Sequence, residues 1–218
     1  LITGGESREV ARKRLSEALD SFCIRGISHN ISFLNALANH PKFATGEMST
    51  AFIDEHFPDG FNSLQVDLPD NNVLPVIAAV LQHFTDTRDY VDGAVVRNYV
   101  ARSGHDEQGI TVTQTAAVYT VVVDGNHYAV ATDWRPHDLV VHARINGEPI
   151  AVQVVAHPLG WQLATGGRAA DVRILTPRAA ELLGLIPEKE PPDMSKFLLS
   201  PMPGLLVRLN VAEGEKVQ

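Results

Sequence analysis

Apolar and polar positions follow three different rhythms along the chain. Near the start, Val10, Leu15, Ala18, Leu19 and Phe22 recur at helical spacing, with Ser7 placed to cap the first turn and Gly26 to stop the helix. Phe33, Leu34, Leu37 and Ala38 then share one side of a second helix over 32–39. His40-Pro41 ends it, because the residue before a proline is driven out of the helical region. After Asp59-Gly60 the pattern changes. Asp70, Asn71 and Asn72 offer N-caps, Pro75 suits a first helical turn, and the run Val73 to Leu81 is apolar nearly all round. Such a helix must be enclosed on every side, since an exposed one would leave a broad apolar stripe in water. It is far shorter than the ~20 residues that cross a bilayer.

The third rhythm has period two. Ile110-Thr111-Val112-Thr113 alternates, and Tyr119 to Val123 meets Asp124-Gly125, a strong hairpin signal, with 127–132 returning. Leu139 to Ile145 meets Asn146-Gly147 and 150–155 returns; 161–165, Gly166-Gly167 and 172–175 form a third pair. Short strands at regular spacing with tight turns predict an antiparallel sheet or barrel, and the apolar helix beside them predicts a barrel wrapped around that helix. Pro177 opens a short helix that Gly184 closes. The overall class is therefore α+β. Between the buried helix and the first of these strands lies a connection, 90–109, too long for a plain turn. It mixes Val95, Val96 and Tyr99 with Arg97 and Arg102, the apolar, aromatic and arginine types that anchor interfaces, so it reads as a docking hook for a partner, with an extra strand or a mobile loop as the competing readings.

Beyond 187 the prolines Pro187, Pro191 and Pro192 stand among charges, a semi-rigid linker over 188–199. The segment 200–218 opens with Ser200-Pro201-Met202-Pro203-Gly204 and continues into the period-two run Val207 to Val211. Leu1-Ile2 reads like the end of a strand and Gln218 falls midway through a strand-and-turn pattern, so the sequence is expected to be an interior piece of a longer chain.

Composition removes whole classes of function. The net charge is −8, and the clustered Lys and Arg that grip a phosphate backbone are missing, which argues against nucleic acid. No stretch is long and apolar enough for a membrane span, and no charged-then-apolar leader opens the chain. The single cysteine, Cys23, cannot staple its own chain and reads as a buried apolar residue in a reducing compartment. The nearest histidine pair, His137 and His142, lacks the spacing of a metal motif, so no metal site is expected. Gly4-Gly5 lacks the Lys-Ser or Lys-Thr of a nucleotide loop, and Ser63, Ser103 and Ser200 lack a nucleophile elbow. No catalytic residue is expected anywhere in the chain.

Two flanks carry a resemblance. Ser200-Pro201-Met202-Pro203-Gly204 followed by Val211-Ala212-Glu213-Gly214-Glu215-Lys216-Val217 resembles the entry to a biotinyl carrier domain. Gly26-Ile27, His29-Asn30-Ile31, Phe33-Leu34, His40-Pro41 and Phe52-Ile53 resemble the end of a biotin carboxylase domain. Between them, 57–61 and 174–182 look like the propionyl-CoA members of the biotin-dependent acyl-CoA carboxylases.

The resemblance implies the following organisation: residues 1–60 end the carboxylase domain, 61–187 form a barrel joining carboxylase and carboxyltransferase subunits, and the first carrier strand follows the linker. It implies biotin, ATP and Mg²⁺ in the parent subunit, a carboxyltransferase β subunit as partner in a hetero-oligomer, and an acyl-CoA substrate reached through that subunit. It implies a cytoplasmic location in a bacterium and the mitochondrial matrix in a eukaryote. It places Thr50 beside the adenine pocket and puts the biotinylated lysine downstream of Gln218, so Lys216 is not that lysine. Acetyl- or methylcrotonyl-CoA specificity, a free-standing interaction barrel and a lipocalin-like ligand barrel are the competing readings; the apolar helix would fill the lumen of the last.

Overall fold

A computed structural model describes residues 1–88, 93–104, 106–116, 118–186, 205 and 208. The expected linker (188–199) and carrier strand (200–218) lie outside the described residues, apart from those two positions. By contacts the chain divides into Leu1–Gly184 and Leu185–Gln218.

The first unit begins with four helices, α1 (Arg8–Ser21), α2 (Ile31–Asn39), α3 (Pro41–Thr45) and α4 (Phe52–His56). Ser7 caps α1 as expected, its hydroxyl accepting from the Val10 amide. α1 gives out at Phe22, before Gly26, and Gly26 takes a positive φ in the connection to α2. Phe33, Phe57 and Phe61 meet edge to face with ring centroids 5.3–6.0 Å apart, which ties the end of the helical segment back onto α2. Cys23 is half-buried, not enclosed as its composition class suggested; it lies just beyond the end of α1, next to the extended cap residue Phe22.

The apolar run becomes α5 (Val73–Thr87). Val76, Ile77, Ala78, Ala79 and Leu81 are fully buried, so the helix is enclosed on all sides. It is surrounded by eight antiparallel strands: β1 (Val95–Ser103), β2 (Asp106–Thr115), β3 (Val118–Val123), β4 (Asn126–Thr132), β5 (Val140–Ile145), β6 (Glu148–His157), β7 (Gly160–Thr165) and β8 (Arg168–Leu175). Each strand pairs with the next and β8 pairs with β1, closing the barrel. Burial alternates along the strands, with Val121 and Val123, Val141 and Ala143, and Val152 and Val154 turned towards α5. α6 (Pro177–Gly184) follows β8 and packs on β1 and β8.

Tight turns hold the register. Asp124-Gly125 and Asn146-Gly147 both carry positive φ at both positions (49° and 79°; 53° and 91°), the mirror-image turn whose twist matches that of the flanking strands. Two seams are short. β1 meets β8 through three residue pairs, Val100 to Arg102, and β4 meets β5 through three, Val130 to Thr132.

One expectation fails here. In the stretch 90–109, residues 90–92 and 105 lie outside the described residues, and most of the rest is strand: β1 and the start of β2. The period-two signal was hidden because Arg97 takes an inward-parity position between Val95 and Tyr99, so polar and apolar residues do not alternate by face.

Candidate functional site

The residues expected to form a docking hook are divided by the strand they occupy. Tyr99 points into the barrel and is buried. Its hydroxyl donates to Asp86 Oδ2 of α5 at 3.0 Å, and burial, reinforced by that bond, holds the phenol protonated well above its usual range. Tyr99 therefore serves the core and presents nothing to a partner. Val95 and Arg97 share its parity and are half-buried, whereas Val96 is 57% exposed on the outer face. Arg102 is half-buried and lies 3.6 Å from Glu107 across the β1–β2 pair. Asp86 also accepts from Gln82 Nε2 at 2.9 Å, and Gln82 Oε1 accepts from Trp161 Nε1 of β7 at 3.2 Å, so a polar chain locks α5 to β1 and β7, the two strands that flank β8.

Two rows of the outer face that Val96 occupies are uncharged across three strands, up to the Arg102–Glu107 pair further along β1 and β2. The register aligns Val96, Thr113 and Thr120 in one row and Asn98, Thr111 and Val122 in the next. By contrast, exposed His142 and Arg144 stand on β5, and exposed Asp171 and Arg173 on β8. An uncharged strip of β-branched side chains loses little by desolvation and suits a protein interface.

The other constructed feature is the junction of helices and barrel. Asp20 Oδ1, on α1, accepts from Asn35 Nδ2 of α2 and from the Gly166 backbone N–H in the β7–β8 turn, both at 2.7 Å. Burial pushes the Asp20 carboxyl up to about 7, against the pull of the Gly166, Asn35 and Thr165 hydrogen bonds. Nearby, Arg25 Nη2 donates to the Val154 carbonyl at 2.6 Å and Gln153 Nε2 to the Leu19 carbonyl at 3.2 Å.

Comparison with known families bears on both features. The family described as "Propionyl-coenzyme A carboxylase BT domain" matches residues 77–189, more than half of the 218. The chain belongs to this family. The barrel and most of α5 are thus its BT domain, and the "Biotin carboxylase C-terminal domain" family matches residues 1–55, the helical segment. The propionyl-CoA carboxylase alpha chain of Ruegeria pomeroyi is 36% identical over the whole of this chain, which corresponds to 33% of that relative. The mitochondrial propionyl-CoA carboxylase alpha chain of Homo sapiens is 32% identical, again across the whole chain and 32% of the relative. The methylcrotonoyl-CoA carboxylase subunit alpha of Glycine max is 40% identical, but over only 30% of this chain and 10% of its own length. The chain spans about a third of the length of the propionyl-CoA carboxylase relatives it matches.

Thr50 sits exposed in the turn that leads into α4. Among the described residues no group of three or more His, Cys, Asp or Glu side chains could hold a metal ion. No helix among them is long and apolar enough to cross a membrane. Sequence reasoning missed the junction between the BT domain and the helices: Asp20 and Gly166 are 146 positions apart, and no local pattern announces such a pairing. The Gly166-Gly167 pair was visible, but only as a hairpin turn.

Proposed function

We propose that this chain is the joining part of the α subunit of a biotin-dependent propionyl-CoA carboxylase. In that reading the parent subunit carboxylates biotin on its carrier domain with ATP, bicarbonate and Mg²⁺, and the β subunit transfers the carboxyl group to propionyl-CoA. Biotin, ATP and Mg²⁺ would be held by parts of the subunit outside this chain. The work of this chain is positional: it closes the carboxylase domain, docks the carboxyltransferase subunit and carries the tether of the biotinyl carrier. The location would be the cytoplasm in a bacterium or the mitochondrial matrix in a eukaryote.

The observation that carries the docking role is the barrel filled by its own helix. With Val76, Ile77, Ala78, Ala79 and Leu81 fully buried, the lumen has no room for a ligand, and binding falls to the outside. The uncharged row Val96, Thr113 and Thr120 is the surface we assign to the carboxyltransferase subunit, in place of the hook. The relatives that match across the whole of this chain are propionyl-CoA carboxylase chains, which favours propionyl-CoA over methylcrotonyl-CoA as the substrate of the complex.

A pull-down of the carboxyltransferase subunit by the 218-residue chain tests the assignment. The double variant Val96→Lys, Thr120→Lys places two unpaired cations in the strip and is expected to weaken binding more than about tenfold. Both positions are exposed, so each change should alter stability by no more than about 0.5 kcal/mol. Undiminished capture would move the interface elsewhere, and failure of the parent chain to capture the subunit would remove the assembly role. The chain alone is expected neither to hydrolyse ATP nor to accept biotin; bicarbonate-dependent ATP hydrolysis by the purified chain would contradict the positional reading.

A further inference from the structure

The junction of helices and barrel is built more closely than a tether requires. One oxygen, Asp20 Oδ1, collects donors from α2 and from the β7–β8 turn at 2.7 Å each. Behind it stands Asn35, only 2% exposed, whose Oδ1 accepts from Ser16 Oγ at 2.8 Å and from Asn39 Nδ2 at 3.0 Å. A buried amide satisfied in this way has one orientation, so it presents Nδ2 to Asp20 in a fixed direction.

The turn on the other side is shaped to enter. Gly166 and Gly167 have φ of 59° and 90°, and a Cβ on Gly167 would lie 2.6 Å from the Ala36 backbone nitrogen. A Cβ on Gly166 would lie 2.9 Å from Leu68 Cδ2. At Gly167 the hairpin therefore presses bare backbone against α2, where a side chain would strike the Ala36 backbone. Arg25 on Val154 and Gln153 on Leu19 fasten the same face of the barrel a short way off. Together these bonds cross from the segment matched by the carboxylase family to the segment matched by the BT family.

We propose that Asp20 is a positioning residue of the carboxylase cycle: by holding the β7–β8 turn against α1 and α2 it fixes the angle between carboxylase domain and barrel, and with it the span the biotinyl carrier must cover. This rests on the carboxylase reading above. Loss of the shared acceptor leaves the Asn35 amide and the Gly166 N–H without it, and a junction that rocks spreads the carrier over positions from which transfer does not occur.

The test uses the full-length α subunit assembled with its carboxyltransferase partner and compares two activities. Bicarbonate-dependent ATP hydrolysis with free biotin needs the carboxylase centre alone, whereas carboxylation of propionyl-CoA needs the carrier to reach both centres. Asp20→Leu is expected to keep the first within about twofold and to lower the second about tenfold or more, since small misplacements far from the chemistry carry penalties of that order. Asp20→Asn, which keeps an acceptor oxygen, is expected to restore most of the coupled activity. Arg25→Ala loosens the same junction from an exposed position and should show the same split at about threefold, the loss of one hydrogen bond; it decides the matter if Asp20→Leu does not fold. An equal loss of both activities, no loss of either, or no recovery with Asn would overturn the proposal. A parent complex inactive in both assays would sink the carboxylase reading itself, whereas an active parent with indifferent junction variants sinks the junction alone.

Discussion

Ile77→Asp is expected to destabilise the barrel by several kcal/mol. Ile77 lies in the middle of α5, has no exposed surface, and is flanked by Val76, Ala78 and Ala79, which have none either. Strands enclose it, and its immediate α5 neighbours provide no cation or donor to pair with a new carboxylate. Burying an unpaired charge in such a place costs several kcal/mol, a large share of the ~5–15 kcal/mol by which domains are stable. The destabilisation is expected to lower the melting temperature of the chain by roughly 10–20 °C. Ile77→Val, which removes one methyl group, should cost only about 1 kcal/mol. Thermal unfolding followed by circular dichroism distinguishes the two. Equal melting temperatures for Ile77→Asp and the parent would show that α5 is not the plug of the barrel.

Acid is expected to attack the same core through His83. This residue has no exposed surface, and neither ring nitrogen has a hydrogen-bond partner. The edges of Tyr99 and Tyr119 enclose it, with ring centroids 6.2 and 6.0 Å away. Burial, and then the positive charge of Arg97, hold its pKa below the usual imidazole value, with Asp86 opposing them more weakly. The folded protein thus keeps His83 neutral where the unfolded chain would protonate it. Stability from this site is complete above the unfolded pKa of about 6.5 and is lost as the pH falls below it, at no more than ~1.4 kcal/mol per pH unit.

Asp20 works in the opposite sense. Its folded pKa of about 7 exceeds the ordinary 3.8, so its contribution is present below 3.8 and is lost as the pH rises through about 7. The two effects oppose one another in mildly acidic solution, and a variant is needed to separate them. His83→Leu is expected to unfold less readily than the parent at pH 5 relative to pH 7.5, measured by denaturant titration at both. An identical pH dependence in parent and variant would mean that His83 does not titrate with unfolding.

The sequence carried the fold to a considerable depth because most of its signals are local. A helix apolar on every side can only be enclosed, and Val76 to Leu81 is. Asp124-Gly125 and Asn146-Gly147 dictate mirror-image turns by backbone sterics alone, and each turn sets the register of the strands it joins. An up-and-down barrel pairs only sequence neighbours except at its closure, so seven of its eight pairings could be read from adjacent segments once the strands were known. The first strand was the exception. Arg97 stands at an inward-parity position beside the polar end of α5, and a charged residue there reads as loop until the helix beneath it is in place. For the same reason Tyr99 looked like an anchor for a partner, although its hydroxyl is committed to Asp86.

What the tertiary structure decided is how distant pieces meet. Whether Val96 faces outward and Tyr99 the core depends on the parity of β1, which the neighbouring strands impose. The junction at Asp20 depends on bringing together residues 20, 35 and 166, whose types are ordinary and whose spacing has no period. Side-chain periodicity records which face of one element is buried, because that is settled within a few residues. It holds no record of which remote amide a carboxylate will find, because that is settled by the packing of whole elements against one another.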